Sequence, residues 1–142
     1  MDEFGDRDGR RGGFTVGGPK VLLRLEAVAA LAGLAAWYQA TSADWLMFAI
    51  LFLVPDLGML GYLAGRRFGA ACYNAAHSSL GPVAVIAAAQ VDARLLPLAL
   101  IWAAHVAFDR ALGYGLKYGT GFGDTHLGLV GKRRAAAMAA AA

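Results

Sequence analysis

Charge is scarce in this chain. Only 16% of its 142 residues are charged, against 58% hydrophobic, far from the balance of a soluble domain. Most of the charges lie before Arg24, near Arg66 and Arg67, or after Asp109. Cysteine is almost absent. Cys72 alone excludes an intramolecular disulfide and a multi-cysteine metal site, and in its apolar run it reads as a small buried hydrophobe. The net charge of +3 is carried by no basic recognition helix and no stacking platform. Nucleic acid is therefore excluded, and membrane lipids with anionic headgroups are the simpler partner. No cleavable signal peptide is expected, because a polar, Gly-rich run containing Asp2, Glu3, Asp6 and Asp8 precedes the first apolar span. Polar faces are missing too. Leu46–Val54 and Val83–Ala89 hold no polar residue, whereas a soluble bundle repeats polar positions along each helix.

What remains is four apolar stretches of about 20 residues, each long enough to cross about 30 Å of hydrocarbon. They are expected at about residues 20–39, 44–64, 68–90 and 95–116. The predicted fold class is all-α: a polytopic four-transmembrane-helix bundle with a short glycine-rich cytoplasmic C-terminal segment. Residues 1–18 read as a disordered cytoplasmic N-terminus. Residues 19–131 form the membrane domain, including a C-terminal loop at 117–131, and 132–142 form a basic, alanine-rich tail. With the N-terminus inside, twelve Lys and Arg residues fall on the cytoplasmic side and only Arg94 on the other. Both termini are thus expected in the cytoplasm, across a cell (inner) membrane. Trp37, Tyr38 and Trp45 are placed at the outer interface.

Polar groups within hydrocarbon are costly unless paired. The second span carries Pro55 and Asp56, and its proline removes a helix hydrogen bond. The third carries Tyr73, Asn74, His77 and Pro82, and the fourth His105, Asp109 and Arg110. Tyr73 with His77, Asn74 with His77, and His105 with Asp109 are spaced as helix-surface neighbours. Counting along the helices puts Asp56, His77, His105 and Asp109 about 12 to 18 Å below the cytoplasmic ends. Three helices bring ionisable groups to one level, which suggests a shared site opening toward the cytoplasm. The segment Gly113–Gly131 holds seven glycines with Lys117, Tyr118, Asp124 and His126. No Gly-Lys-Ser/Thr follows the glycines, so it is no Walker loop. It is expected to fold back as a cover, carrying Asp124 and His126 over the cluster.

The runs Pro55–Gly65, Tyr73–His77, His105 through Asp109 and Arg110 to Tyr118, and Phe122 with Asp124–Gly128 resemble a family of small bacterial membrane proteins catalogued as the domain of unknown function DUF4260. The resemblance spans about residues 20–131. It implies a four-helix membrane domain and a bacterial source, and it implies no reaction.

Three readings of the polar residues stand side by side. In the first they only satisfy one another and pack the bundle, in a structural or accessory protein, with Asp56 paired to Arg110 and Asp109 holding His77. In the second they serve a metal-dependent hydrolase of a lipid or membrane-associated substrate. His77, His105 and His126 then hold a divalent metal such as zinc. Asp56, Asp109 and Asp124 supply further ligands or the general base, while Asn74, Arg110 and Lys117 contact the substrate or its headgroup. No His-Glu-x-x-His motif sharpens this reading. In the third, Asp and His form a proton- or ion-linked binding or transport module. Gly61, Gly65 and Gly69 would let a homo-oligomer form by close helix contact, although packing within one chain is the preferred account.

Overall fold

The computed structural model describes residues 15–140, so the calls on residues 1–14 and 141–142 lie outside the described residues. The chain is mostly helical. Helix α1 spans Gly17–Thr41, α2 Trp45–Phe52, α3 Arg66–His77, α4 Leu80–Ala88, α5 Leu95–Leu112 and α6 Gly131–Ala139. A long 3-10 helix, Val54–Ala64, joins α2 to α3, and a hairpin of β1 (Asp124–Thr125) and β2 (Gly128–Leu129) follows α5. Helix α5 is central: α1, α2 and α4 pack against it, while the 3-10 helix packs against α3.

Among the described residues, three segments are long and apolar enough to cross a membrane: Gly17–Thr41, Trp45–Ala64 and Leu95–Leu112. The first two have only 6% of their most apolar window buried. Leu22, Leu25, Leu46, Ile50, Leu60 and Leu63 all point outward. A surface of this kind suits lipid and is unsuited to water. The expected third span, 68–90, is instead two shorter helices. Pro82 has no N–H for the Ser78 carbonyl, Ser78 is extended, and α4 restarts at Leu80. The Leu80 N–H is taken by Ser78 Oγ at 3.1 Å.

The 3-10 helix has a cause in the sequence. Residues 55–64 read Pro-Asp-Leu, Gly-Met-Leu, Gly-Tyr-Leu, Ala, a period of three that matches three residues per 3-10 turn. Pro55, Gly58, Gly61 and Ala64 then form one smooth row. A Cβ added at Gly61 would lie 2.8 Å from Cys72 Cβ, so glycine lets α3 approach. Leu57, Leu60 and Leu63 form a second row, all exposed, and Asp56, Met59 and Tyr62 a third. At Gly69 an added Cβ would strike the Tyr62 ring. The spaced glycines Gly61 and Gly69 thus serve packing within the chain.

The core at the far end gathers Tyr38, Leu100 and Ile101 with Phe48 and Phe52. Tyr38 is fully buried and donates to the Asp44 carbonyl at 2.7 Å, so it is a core residue and does not face the interface as expected. Trp37 and Trp45 do stay exposed. An aromatic column runs from Tyr38 through Phe48 and Phe52 to His105. The tail helix α6 buries none of its residues.

Candidate metal centre

Helix α3 buries Gly69, Ala70, Tyr73 and His77 on one face, the spacing of a single helical stripe. His77 ends this helix and is completely buried. Its Nδ1 lies 2.9 Å from the Tyr73 carbonyl. A carbonyl only accepts, so Nδ1 carries the proton and Nε2 of the neutral ring presents a lone pair. The Tyr73 and His77 rings stack at 3.8 Å.

Three groups converge on His77 Nε2. His105 Nε2, from α5, is 3.1 Å away. Asp56 Oδ1, from the start of the 3-10 helix, is 3.4 Å from His77 Nε2 and 3.6 Å from His105 Nε2. Asp109 Oδ2, one turn after His105, is 3.5 Å from His77 Nε2 and accepts the Tyr73 hydroxyl at 3.0 Å. The ligand atoms of Asp56, His77 and His105 all lie within 4.8 Å of one another. Asp56 keeps 37% of its side chain exposed and Asp109 13%, while the histidines are sealed.

The breaks in the helices make this site. Ending α3 at His77 frees carbonyls that a continuous helix would use, and α5 supplies the donors. Arg110 Nη2 donates to the His77 carbonyl at 2.8 Å, and Trp102 Nε1 to the Ala76 carbonyl at 2.6 Å. Pro55 opens the 3-10 helix one residue before Asp56. Irregular backbone inside a membrane bundle is tolerated where it is enclosed by protein or lines a cavity. An apolar cavity of 330 Å³ is walled by Pro55 and Ala76, the chain neighbours of Asp56 and His77, with Gly58, Ile101 and Trp102 among others; the cluster side chains themselves do not line it.

The remaining candidates are placed as follows. The glycine-rich segment folds back onto α3 and the 3-10 helix. Asn74 spends both amide functions on it, donating to the Lys117 carbonyl at 2.9 Å and accepting the Lys117 N–H at 2.7 Å. Lys117 is buried. Its Nζ donates to the Phe122 carbonyl at 2.9 Å and lies over the Tyr73 and Phe122 rings. Burial pushes its pKa below the usual lysine value, partly offset by Asp109. Arg110 donates to the carbonyls of Tyr114 and His77, not to Asp56. His126 Nδ1 accepts the Leu116 N–H at 2.8 Å. Asp124 is held by Arg133 of α6 and by Thr120. Neither His126 nor Asp124 makes a contact with the Asp56–His77–His105 group. Their carriage over the cluster stays an expectation, while the backbone of their segment is secured to it by Asn74. Tyr73, singled out in the sequence only as a polar neighbour, orients both His77 and Asp109. Its spacing of four from His77 was the available signal.

A family match covers residues 20–130: Domain of unknown function (DUF4260). The chain belongs to this family. No curated protein and no solved structure shows significant similarity to it.

Proposed function

We propose that this DUF4260 chain is a four-span bacterial inner-membrane protein that holds a divalent transition metal on Asp56, His77 and His105, with Asp109 beside it. In this reading α3 and α4 together make the third of the four spans, and the basic residues put both termini in the cytoplasm. The observation that carries the metal is the convergence of acceptors. His77 Nε2, Asp56 Oδ1 and Asp109 Oδ2 all present lone pairs to one small volume. Among the described residues no lysine or arginine forms a hydrogen bond or salt bridge with either carboxylate: Arg110 and Lys117 donate to carbonyls and act on Asp109 only through space. Two carboxylates in an apolar bundle call for a cation.

The spacing fits one. Four donors around a zinc-like ion, at bonds of about 2.0–2.1 Å, stand about 3.3 Å apart along a tetrahedron's edges. The three separations within the Asp56–His77–His105 group, 3.1, 3.4 and 3.6 Å, lie close to that figure. Two imidazoles with carboxylates suit zinc or a similar ion. Three protein ligands leave a position for water, whose pKa a bound metal lowers. Asp109, which accepts the Tyr73 hydroxyl, would serve as the general base toward such a water. The apolar cavity walled by Pro55 and Ala76, the chain neighbours of Asp56 and His77, suits the chain of a lipid substrate, and hydrolysis of such a substrate is the activity we infer for this arrangement.

Metal analysis of gently purified protein tests the reading. One equivalent is expected in the wild type and much less in His77→Ala or His105→Ala. A wild type that carries no metal and shows no saturable uptake of zinc or cobalt sinks it. The 3.1 Å His105–His77 approach would then be a plain hydrogen bond with Nε2–H as donor, and the cluster would serve packing alone.

A further inference from the structure

Helix α5 borders a second cavity, on the side turned away from the candidate metal centre. Ala103, Val106, Ala107 and Arg110 line it, while His105 and Asp109 do not. It measures 410 Å³ and lies between α1, α4, α5 and the hairpin. Its two ends differ in character. Leu34, Val83 and Val106 wall one end, and Glu26, Arg110 and His126 sit at the other.

The polar end lies where the spans end. Thr15 N–H donates to the His126 carbonyl at 2.8 Å, and Arg24 Nε to the Ala111 carbonyl at 2.8 Å. These bonds fasten the hairpin and the last turn of α5 to the first turns of α1. Glu26 follows Arg24 by two residues, about 3 Å along the helix. Leu34 is eight residues beyond Glu26, about 12 Å deeper. The cavity thus has a polar mouth beside the last turn of α5 and an apolar shaft along α1, the shape of an amphiphile.

Charge selects among amphiphiles. The exposed Glu26 carboxylate has no hydrogen bond or ion pair among the described residues, and a carboxylate at the edge of an apolar slot calls for a cationic donor. His126 and Arg110 ask for the opposite. Because His126 Nδ1 accepts the Leu116 N–H, its neutral ring carries the proton on Nε2, a donor. Burial and the Arg110 charge hold the His126 pKa below the usual value, so this donor persists at neutral pH. Arg110 keeps its full charge while its amino groups bond carbonyls.

We infer that this cavity binds a zwitterionic phospholipid with a primary ammonium headgroup. The ammonium meets Glu26, the phosphate meets His126 Nε2 and the Arg110 charge, and one acyl chain lies along Leu34, Val83 and Val106. The site shares no ligand side chain with the candidate metal centre, touching it only through the Arg110 bond to the His77 carbonyl, and stands whether or not that centre binds metal.

The test uses full-length protein, stripped of lipid in mild detergent and re-exposed to mixed micelles of equimolar phosphatidylethanolamine and phosphatidylglycerol. Native mass spectrometry reads the lipid retained per chain. The wild type should hold one phosphatidylethanolamine, several-fold in preference to phosphatidylglycerol. Glu26→Gln should abolish that preference, and Val83→Trp, which fills the apolar shaft, should lower retention of both lipids. Metal content should not change in either variant. Equal retention of the two lipids by the wild type, no retention, or a preference that survives Glu26→Gln overturns the inference. Wild-type retention by Val83→Trp does so as well, independently of how Glu26→Gln folds.

Discussion

Tyr73 shows how one buried side chain can govern a site it does not itself complete. Its carbonyl sets the His77 tautomer, its ring stacks on His77, and its hydroxyl holds Asp109. Tyr73→Phe removes only the hydroxyl. The chain should still fold, because the ring and the carbonyl remain, but the charge-assisted hydrogen bond is lost, at about 1.5–3 kcal/mol. Zinc affinity is expected to fall about 10- to 100-fold, the range for groups just outside a metal's ligands, because the Asp109 charge is no longer held beside the site. A competitive chelator titration reads this directly, and unchanged affinity would show that Asp109 needs no support from Tyr73. Asn74 works at the same scale with another result. It clamps the glycine-rich segment through both amide functions. Asn74→Ala should leave the Lys117 N–H unpaired and loosen residues 113–130, while a bound metal stays. Hydrogen exchange should rise in that segment, and protection equal to wild type would contradict the clamp.

At the scale of elements, the two broken spans are the main feature. Pro55 and the period-three run after it turn the second span from α-helix into 3-10 helix, and Pro82 splits the third. The 3-10 helix is held by contact with α3 through small residues. Gly61→Leu would force a side chain into Cys72, and Gly69→Leu one into Tyr62. Overpacking of this kind costs about 1–3 kcal/mol. Each variant should therefore melt at lower temperature in detergent and lose metal together with stability. Either variant melting like the wild type would show that the 3-10 helix and α3 are not pressed together. Gly113 has a different task. It closes α5 in the left-handed conformation at φ 94°, so the chain can turn from the last helical turn into the folded-back segment.

For the whole molecule the outward face is decisive. Leu63 is 88% exposed and Leu46 73%. On a water-soluble protein a polar substitution at such sites would change stability by less than about 0.5 kcal/mol. In a bilayer a charge near the middle of a span costs about 2.5–3.5 kcal/mol or more. Ile50→Asp, exposed within α2, should thus reduce membrane insertion sharply, and normal insertion would argue against a lipid-facing α2. Orientation is tested by reporters fused in the loops at residues 42–44 and 92–94. Both should read as non-cytoplasmic, and a cytoplasmic signal from either overturns the assignment.

Much of this was readable from composition and order alone. Apolar length is a local property, so the three spans Gly17–Thr41, Trp45–Ala64 and Leu95–Leu112 follow from the residues within them. Depth is nearly as local, because rise per residue differs only between about 1.5 Å in α-helix and about 2.0 Å in the 3-10 stretch, and that is why counting placed Asp56, His77, His105 and Asp109 near one level. The period of three after Pro55 was also present in the sequence, but it is visible only to a reader who looks for a 3-10 repeat. The sequence alone could not say which groups meet. His77, His105 and His126 were equivalent candidates by type. The tertiary structure joined the first two because His77 ends α3 beside α5, and it turned His126 to the Leu116 N–H. Asp56 joins them and Asp124 bonds Arg133 and Thr120 instead. Composition and helical rise therefore determined a membrane chain with ionisable groups at one depth. Which of them share a point was decided by helix rotation and by the positions of the breaks, which depend on contacts between residues far apart in the chain.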